Sequence, residues 1–162
     1  MKNLTSVAVS LALSTALLFA LPANVNAAKI KKLSATPTSL RGTWYHLHGK
    51  KEGYSKPFIE KIVIGKHSMI DSWQQTREHL KGKHFVVSYY RRDVKFKGYK
   101  TRHLNAYFMW NQGDVPAYMS IHLRVSGKYR HVMLQTPQNG PFPIFTTFKP
   151  TKSYTISGTY RY

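Results

Sequence analysis

A chain of 162 residues with 25 Lys and Arg against 6 Asp and Glu, a formal charge of +19, has the length of a single domain. It holds no cysteine, which excludes a disulfide framework and thiolate chemistry and leaves packing and hydrogen bonds to hold the fold. So large an excess of positive charge repels itself, and it points to an anionic partner.

In chain order, residues 1–27 read as a secretory signal peptide. Lys2 precedes an apolar stretch, Pro22 breaks it, and Val25 and Ala27 stand at the small-residue positions that precede cleavage. Ser6, Ser10, Ser14 and Thr15 interrupt the stretch and argue against a membrane anchor. Cleavage after Ala27 removes one lysine and no acid, leaving 24 basic residues against 6 acidic and a charge of +18. Residues 28–39, AKIKKLSATPTS, read as a flexible basic leader, and residues 40–162 as one β domain.

From Arg41 onward the pattern is that of strands. An opening strand is followed by a hairpin over residues 58–73, with Gly65 to His67 as its turn. Residues 71–81, DSWQQTREHLK, carry a thin helical stripe through Trp73, Thr76, Arg77 and Leu80 and read as a loop with a turn of helix. Further runs cover residues 84–90, 94–96 and 103–110. Residues 117–125 send Ala117, Met119, Ile121, Leu123 and Val125 to one face and Tyr118, Ser120, His122 and Arg124 to the other. A Ser-Gly-Lys connection then leads to YRHVMLQT, and the last runs are 143–148 and 154–162. Glycines recur every 12 to 18 residues from Gly53 to Gly158. Short neighbouring strands in that rhythm predict an all-β fold, an antiparallel up-and-down β-barrel of 8–10 strands, with a β-sandwich as the alternative.

The opening LRGTWY, Leu40 to Tyr45, resembles the first-strand signature of the lipocalin and wider calycin superfamily and of small secreted lipocalin-like bacterial proteins. The resemblance implies that Trp44 closes one end of a barrel against an arginine of the last strand, Arg161 by position. It rests on Gly42, Thr43 and Trp44; the lipocalin Thr-Asp-Tyr turn, a disulfide and a C-terminal helix have no counterpart in the sequence.

Candidate chemistry is sparse. His46 and His48 are two apart, so a strand presents both imidazoles on one face, as a metal pair requires. Nothing in the spacing selects a third ligand from His84, His103, His122, His131 or the acids, so no metal and no cofactor is assigned. Glu52, Glu60, Glu78 and Asp93 each have a basic neighbour in sequence and read as ion pairs, while Asp71 and Asp114 do not form a recognisable catalytic pair. There is no Gly-x-Ser-x-Gly elbow and no phosphate-cradling glycine loop. The expectation is a non-enzymatic protein.

The basic residues concentrate in RRDVKFKGYKTRH, where Arg91, Arg92, Lys95, Lys97, Lys100 and Arg102 form the candidate anion-binding set. Lys50, Lys51 and Lys56 make a smaller cluster. The implied partner is an anionic cell-wall polymer or anionic lipid surface that holds the secreted protein at the envelope by charge, with nucleic acid a more distant phosphate source. The alternative is a carrier of a small hydrophobic ligand in a barrel cavity lined by Trp44, Phe85, Phe108, Trp110, Ile121 and Leu123. A third is a metalloenzyme built on His46 and His48. Oligomeric state is not legible.

Overall fold

The computed structural model describes residues 30–110, 115–137 and 140–161, with Arg161 described by its backbone alone. The expected signal peptide and Asp114 lie outside the described residues. The described chain is all-β, with no helix longer than a single 3-10 turn. Its strands are β1 (Lys31–Leu33), β2 (Gly42–His48), β3 (Phe58–Ile64), β4 (Ser68–Trp73), β5 (Thr76–Lys81), β6 (Val87–Phe96), β7 (Arg102–Phe108), β8 (Tyr118–Val125), β9 (Lys128–Gln135), β10 (Phe142–Phe145), β11 (Thr155–Ile156) and β12 (Gly158–Arg161).

Two antiparallel sheets result. The larger runs β1-β6-β7-β8-β9-β10-β11, with β12 also paired to β6, and the smaller runs β2-β3-β4-β5. Only Ser157 separates β11 from β12, yet β11 pairs with β10 and β12 with β6. The Lys97 N–H donates to the Ser157 carbonyl at 2.8 Å and continues that ladder. The larger sheet is therefore curled, and one segment reaches from one of its ends to the other. Gly158 permits the close approach: a Cβ there would lie 2.9 Å from the Lys95 carbonyl and 2.9 Å from the Phe96 ring. A bridge between Tyr45 and Thr146 ties β2 to the chain just after β10.

Burial alternates along each strand, and the alternation feeds two cores. Met119, Ile121, Leu123, Val125, Val132, Leu134 and Ile144 join Val94, Phe96 and Phe142 inside the curled sheet. Their sequence neighbours Tyr118, Met133 and Phe145 face the other way and pack with Trp44, Ile62, Ile64, Met69 and Leu80 against the smaller sheet. Adjacent residues on a strand point to opposite faces, so the ends of β8, β9 and β10 are covered on both sides.

Three expectations change. Residues 71–81 hold no turn of helix: β4 and β5 form a hairpin around Gln74 and Gln75, with Trp73 opposite Thr76 and Leu80 opposite Met69. Cross-strand burial of Leu80 overrides the weak helical stripe. Residues 87–90 of the run 84–90 merge with the run 94–96 into the single ten-residue strand β6, while His84 ends a 3-10 turn. In the leader, Lys31–Leu33 pairs with Val87 to Tyr89 of β6, and Thr36 is buried. A calycin-type barrel is not confirmed, because Trp44 sits on β2 in the smaller sheet and contributes to the core between the sheets.

Candidate functional site

The inner face of the smaller sheet divides in two. Gly42 opposes Ile64, Trp44 opposes Ile62 and His46 opposes Glu60 along β2 and β3, while Ile62 opposes Asp71 and Ile64 opposes Met69 along β3 and β4. Trp44, Ile62, Ile64, Met69 and Leu80 make one half apolar. The other half carries His46, His48, Glu60 and Asp71, and Glu78 on β5 stands opposite Asp71. With Glu52, four of the six acidic residues of this strongly basic chain gather at this end of one sheet.

Glu52 arrives from a loop. A 3-10 turn at Lys50–Glu52 follows β2 and ends at Gly53, whose φ of +89° lies in the left-handed region that glycine adopts without strain. The turn carries the Glu52 carboxylate to both imidazoles: its oxygens lie 3.1 and 3.2 Å from His46 Nε2, and Oε2 lies 2.8 Å from His48 Nδ1. The donor atoms of His46, His48 and Glu52 all lie within 4.8 Å of one another. Around them, the Ile144 carbonyl is 3.0 Å from His46 Nδ1, Glu60 Oε2 is 2.7 Å from His48 Nε2, and the Ser153 hydroxyl donates to Glu52. Phe58 stacks on His48 with ring centroids 4.8 Å apart, and the Tyr54 and Trp73 rings meet it edge-on.

Removing charge from water costs free energy, and the titration of these groups reflects it. Burial pushes Glu60 up to about 7, against the pull of His46 and of a hydrogen bond with Asp71. Burial, then the negative charges of Glu60 and Glu78, push Asp71 up to about 7 as well, so the pair holds a proton to near neutrality. Desolvation lowers His48 although Glu52 opposes the shift. Glu52 lies below its ordinary value because the Ser153 hydroxyl and the two histidines together outweigh its burial. Tyr118 of β8 reaches the same region and is raised well above 10 by burial, with Asp71 and Glu60 adding to the effect.

Of the sequence-derived metal candidates, His46 and His48 thus come together, and Glu52 joins them. His84, His103, His122 and His131 do not: His84 is exposed, His103 bonds Asp93 on the outer face, and His122 and His131 stack on each other at 5.1 Å. Glu52 and Glu60 read as ion pairs with lysine in the sequence, but the alternation of β3 turns Lys61 outward and Glu60 inward. That alternation with Ile62 and Ile64 was the available signal for Glu60.

The cationic set also divides. Arg91, Lys95, Lys97 and Lys100 are exposed, and Arg102 is half-buried with its guanidinium 5.5 Å from the Tyr99 ring. Arg92 is not on that surface. It alternates with Arg91 and Asp93, points inward at 5% exposure and lies 3.9 Å from the centre of the Tyr90 ring. Lys95, Lys97 and Lys100 line one open depression of about 620 Å³ with Tyr99, Ser157 and Thr159, formed where the β6–β7 turn meets the β11–β12 segment.

The suggested cavity residues fall in separate places. Ile121 and Leu123 belong to the core inside the curled sheet, with Phe108 packed against it, whereas Trp44 belongs to the core between the sheets, with Phe85 and Trp110 beside it. Trp44 donates from Nε1 to the Leu40 carbonyl at 2.8 Å and meets His131 edge-on. Arg161 pairs through its backbone with Asp93, and its side chain lies outside the described part of the chain. No family model, curated protein or solved structure matches this chain.

Proposed function

We propose that this is a secreted, non-enzymatic binding protein that associates through a cationic surface with a phosphate-rich anionic polymer of the cell envelope. The observation that carries the reading is the convergence of Lys95, Lys97 and Lys100 on one open depression. The placement of the acids supports it: Glu60 and Asp71 turn into the smaller sheet, which leaves Asp93, paired with His103, as the one acid on the outward face of β6 beside Arg91 and Lys95. Lysine ammonium groups are point charges that bind phosphate oxygens without fixed geometry, which suits a flexible polymer better than a single shaped ligand. Arg91 and Arg102 extend the same run, and Arg92 takes no part.

The test is retention of the mature chain on a poly(glycerol phosphate) matrix across a salt series. Each lysine that contacts phosphate contributes roughly one unit to the slope of log affinity against log salt. Changing Lys95, Lys97 and Lys100 together to glutamine should flatten the slope accordingly. Retention that ignores both salt and the triple substitution would overturn the reading, and anionic-lipid vesicles run in parallel distinguish a polymer from a membrane surface.

A further inference from the structure

The cluster beneath the smaller sheet brings the ring nitrogens of two imidazoles and a carboxylate within 4.8 Å of one another. The Ile144 carbonyl can only accept, so His46 Nδ1 carries a hydrogen toward it, and a metal-binding, singly protonated ring would turn its Nε2 lone pair toward the Glu52 carboxylate, 3.1 Å away. His48 places Nε2 on Glu60 and Nδ1 on Glu52, yet a neutral imidazole has one N–H to give. If that hydrogen serves Glu60, a second lone pair faces Glu52. Two ring nitrogens and a carboxylate then point their lone pairs at one small volume.

We propose that His46 Nε2, His48 Nδ1 and the Glu52 carboxylate form a binding site for one divalent transition-metal ion of the zinc class. Two imidazoles and a carboxylate are a recurrent zinc ligand set, and three protein ligands leave a fourth position for water. A tetrahedral zinc ion with bonds of about 2.0–2.1 Å sets its ligands roughly 3.3 Å apart. The Glu52 contacts, at 2.8 to 3.2 Å, are already close to that spacing, and donors within 4.8 Å of one another have to close by at most about 1.5 Å to reach it.

The outer groups supply the second observation. Metal-bound histidines donate their remaining N–H to a carbonyl or carboxylate, and ligating carboxylates are themselves hydrogen-bonded. All three supports are in place: the Ile144 carbonyl behind His46, Glu60 behind His48 and the Ser153 hydroxyl on Glu52. They come from β10, β3 and the chain after β10, so the arrangement belongs to the fold and not to one loop. The site lies apart from the lysine-lined depression, whose residues come from β6, the turn after it and the β11–β12 segment, and either assignment can fail without the other.

The experiment strips the mature chain with chelator, dialyses it against Zn²⁺ and measures metal per chain, with Co²⁺ as a visible probe of coordination. One zinc per chain is expected, with the absorption of a four-coordinate Co²⁺ ion. Glu52→Gln, on a partly exposed turn, should weaken zinc binding by more than the 10–100-fold typical of losing an outer partner, and Ser153→Ala by about 10-fold. Nitrogen NMR of the unaltered protein removes dependence on how the variants fold: zinc should move His46 Nε2 and His48 Nδ1 and leave His122 and His131 unchanged. A folded chain that retains no zinc, zinc that shifts the His122–His131 pair instead, or full affinity in Glu52→Gln would each overturn the proposal.

Discussion

The interior of the curled sheet and the inner face of the smaller sheet are built on the same alternation, yet they bury opposite chemistry. Inside the curled sheet the inward residues are aliphatic or aromatic apart from Arg92, which lies over the Tyr90 ring, and Phe96 meets Phe142 edge-on at 5.4 Å. On the smaller sheet the same period buries Ile62 and Ile64 and then, two residues earlier on β3, Glu60 at 1% exposure. Apolar burial stabilises in proportion to area, whereas a buried carboxylate or imidazole costs free energy even when paired. The contrast separates the part of the molecule that holds the fold from the part where the fold holds reactive groups in place.

The largest effect should come from the first region. Phe96→Ala removes a fully buried ring that faces Phe142 and should cost about 3–5 kcal/mol by denaturant titration. A loss well under that range would mean the interior is loosely filled, which would revive the carrier reading.

The second region should show its cost through pH. Glu60 and Asp71 share a proton in the folded chain up to about 7, above their ordinary carboxyl values, so the native state binds one more proton than the unfolded state over that interval. Stability from this pair is therefore complete below the unfolded carboxyl values and is lost as pH rises through about 7, by on the order of 3 kcal/mol. His48 runs the other way, since its lowered value gives up stability as pH falls. Melting temperature in chelator should pass through a maximum on the acid side of neutrality and decline toward pH 8. Asp71→Asn should flatten that decline, and an unchanged profile in the variant would remove the pair as its cause.

How much of this was legible follows from period two. The strands β3, β4, β8 and β9 stand close to where alternation and glycine turns put them, and His46 and His48 share a face because they are two apart. The same rule would have sent Arg92 inward with Tyr90, Val94 and Phe96, but a run of basic residues reads as a surface when its alternation is ignored. Glu52 was not legible, because its place under the histidines depends on a 3-10 turn and a left-handed Gly53 in a nine-residue connection. Asp71 was hidden by the helical stripe of DSWQQTREHLK, and only the register of β4 against β3 brings it to Glu60.

A smaller perturbation probes the seam of the curled sheet. Gly158→Ala places a methyl 2.9 Å from the Lys95 carbonyl, which is backbone and cannot swing aside, so β12 must shift away from β6. The expected loss is about 1–3 kcal/mol, with faster amide exchange confined to β12 and its partners on β6. Zinc binding should be unaffected, which again sets the two regions apart.

The smallest effect belongs to the exposed lysines. Changing Lys95, Lys97 and Lys100 to glutamine alters no buried contact and should move stability by no more than about 0.5 kcal/mol. Its sign is informative. In a chain of charge +19, removing three neighbouring positive groups relieves repulsion, so the change should be neutral or slightly stabilising at low salt. Added salt screens charges beyond about 10 Å at 0.1 M and should raise the stability of the unaltered protein more than that of the variant. If salt instead stabilises both equally, the lysines are far enough apart to be independent, and the depression is not a concentrated field that would hold a polyanion.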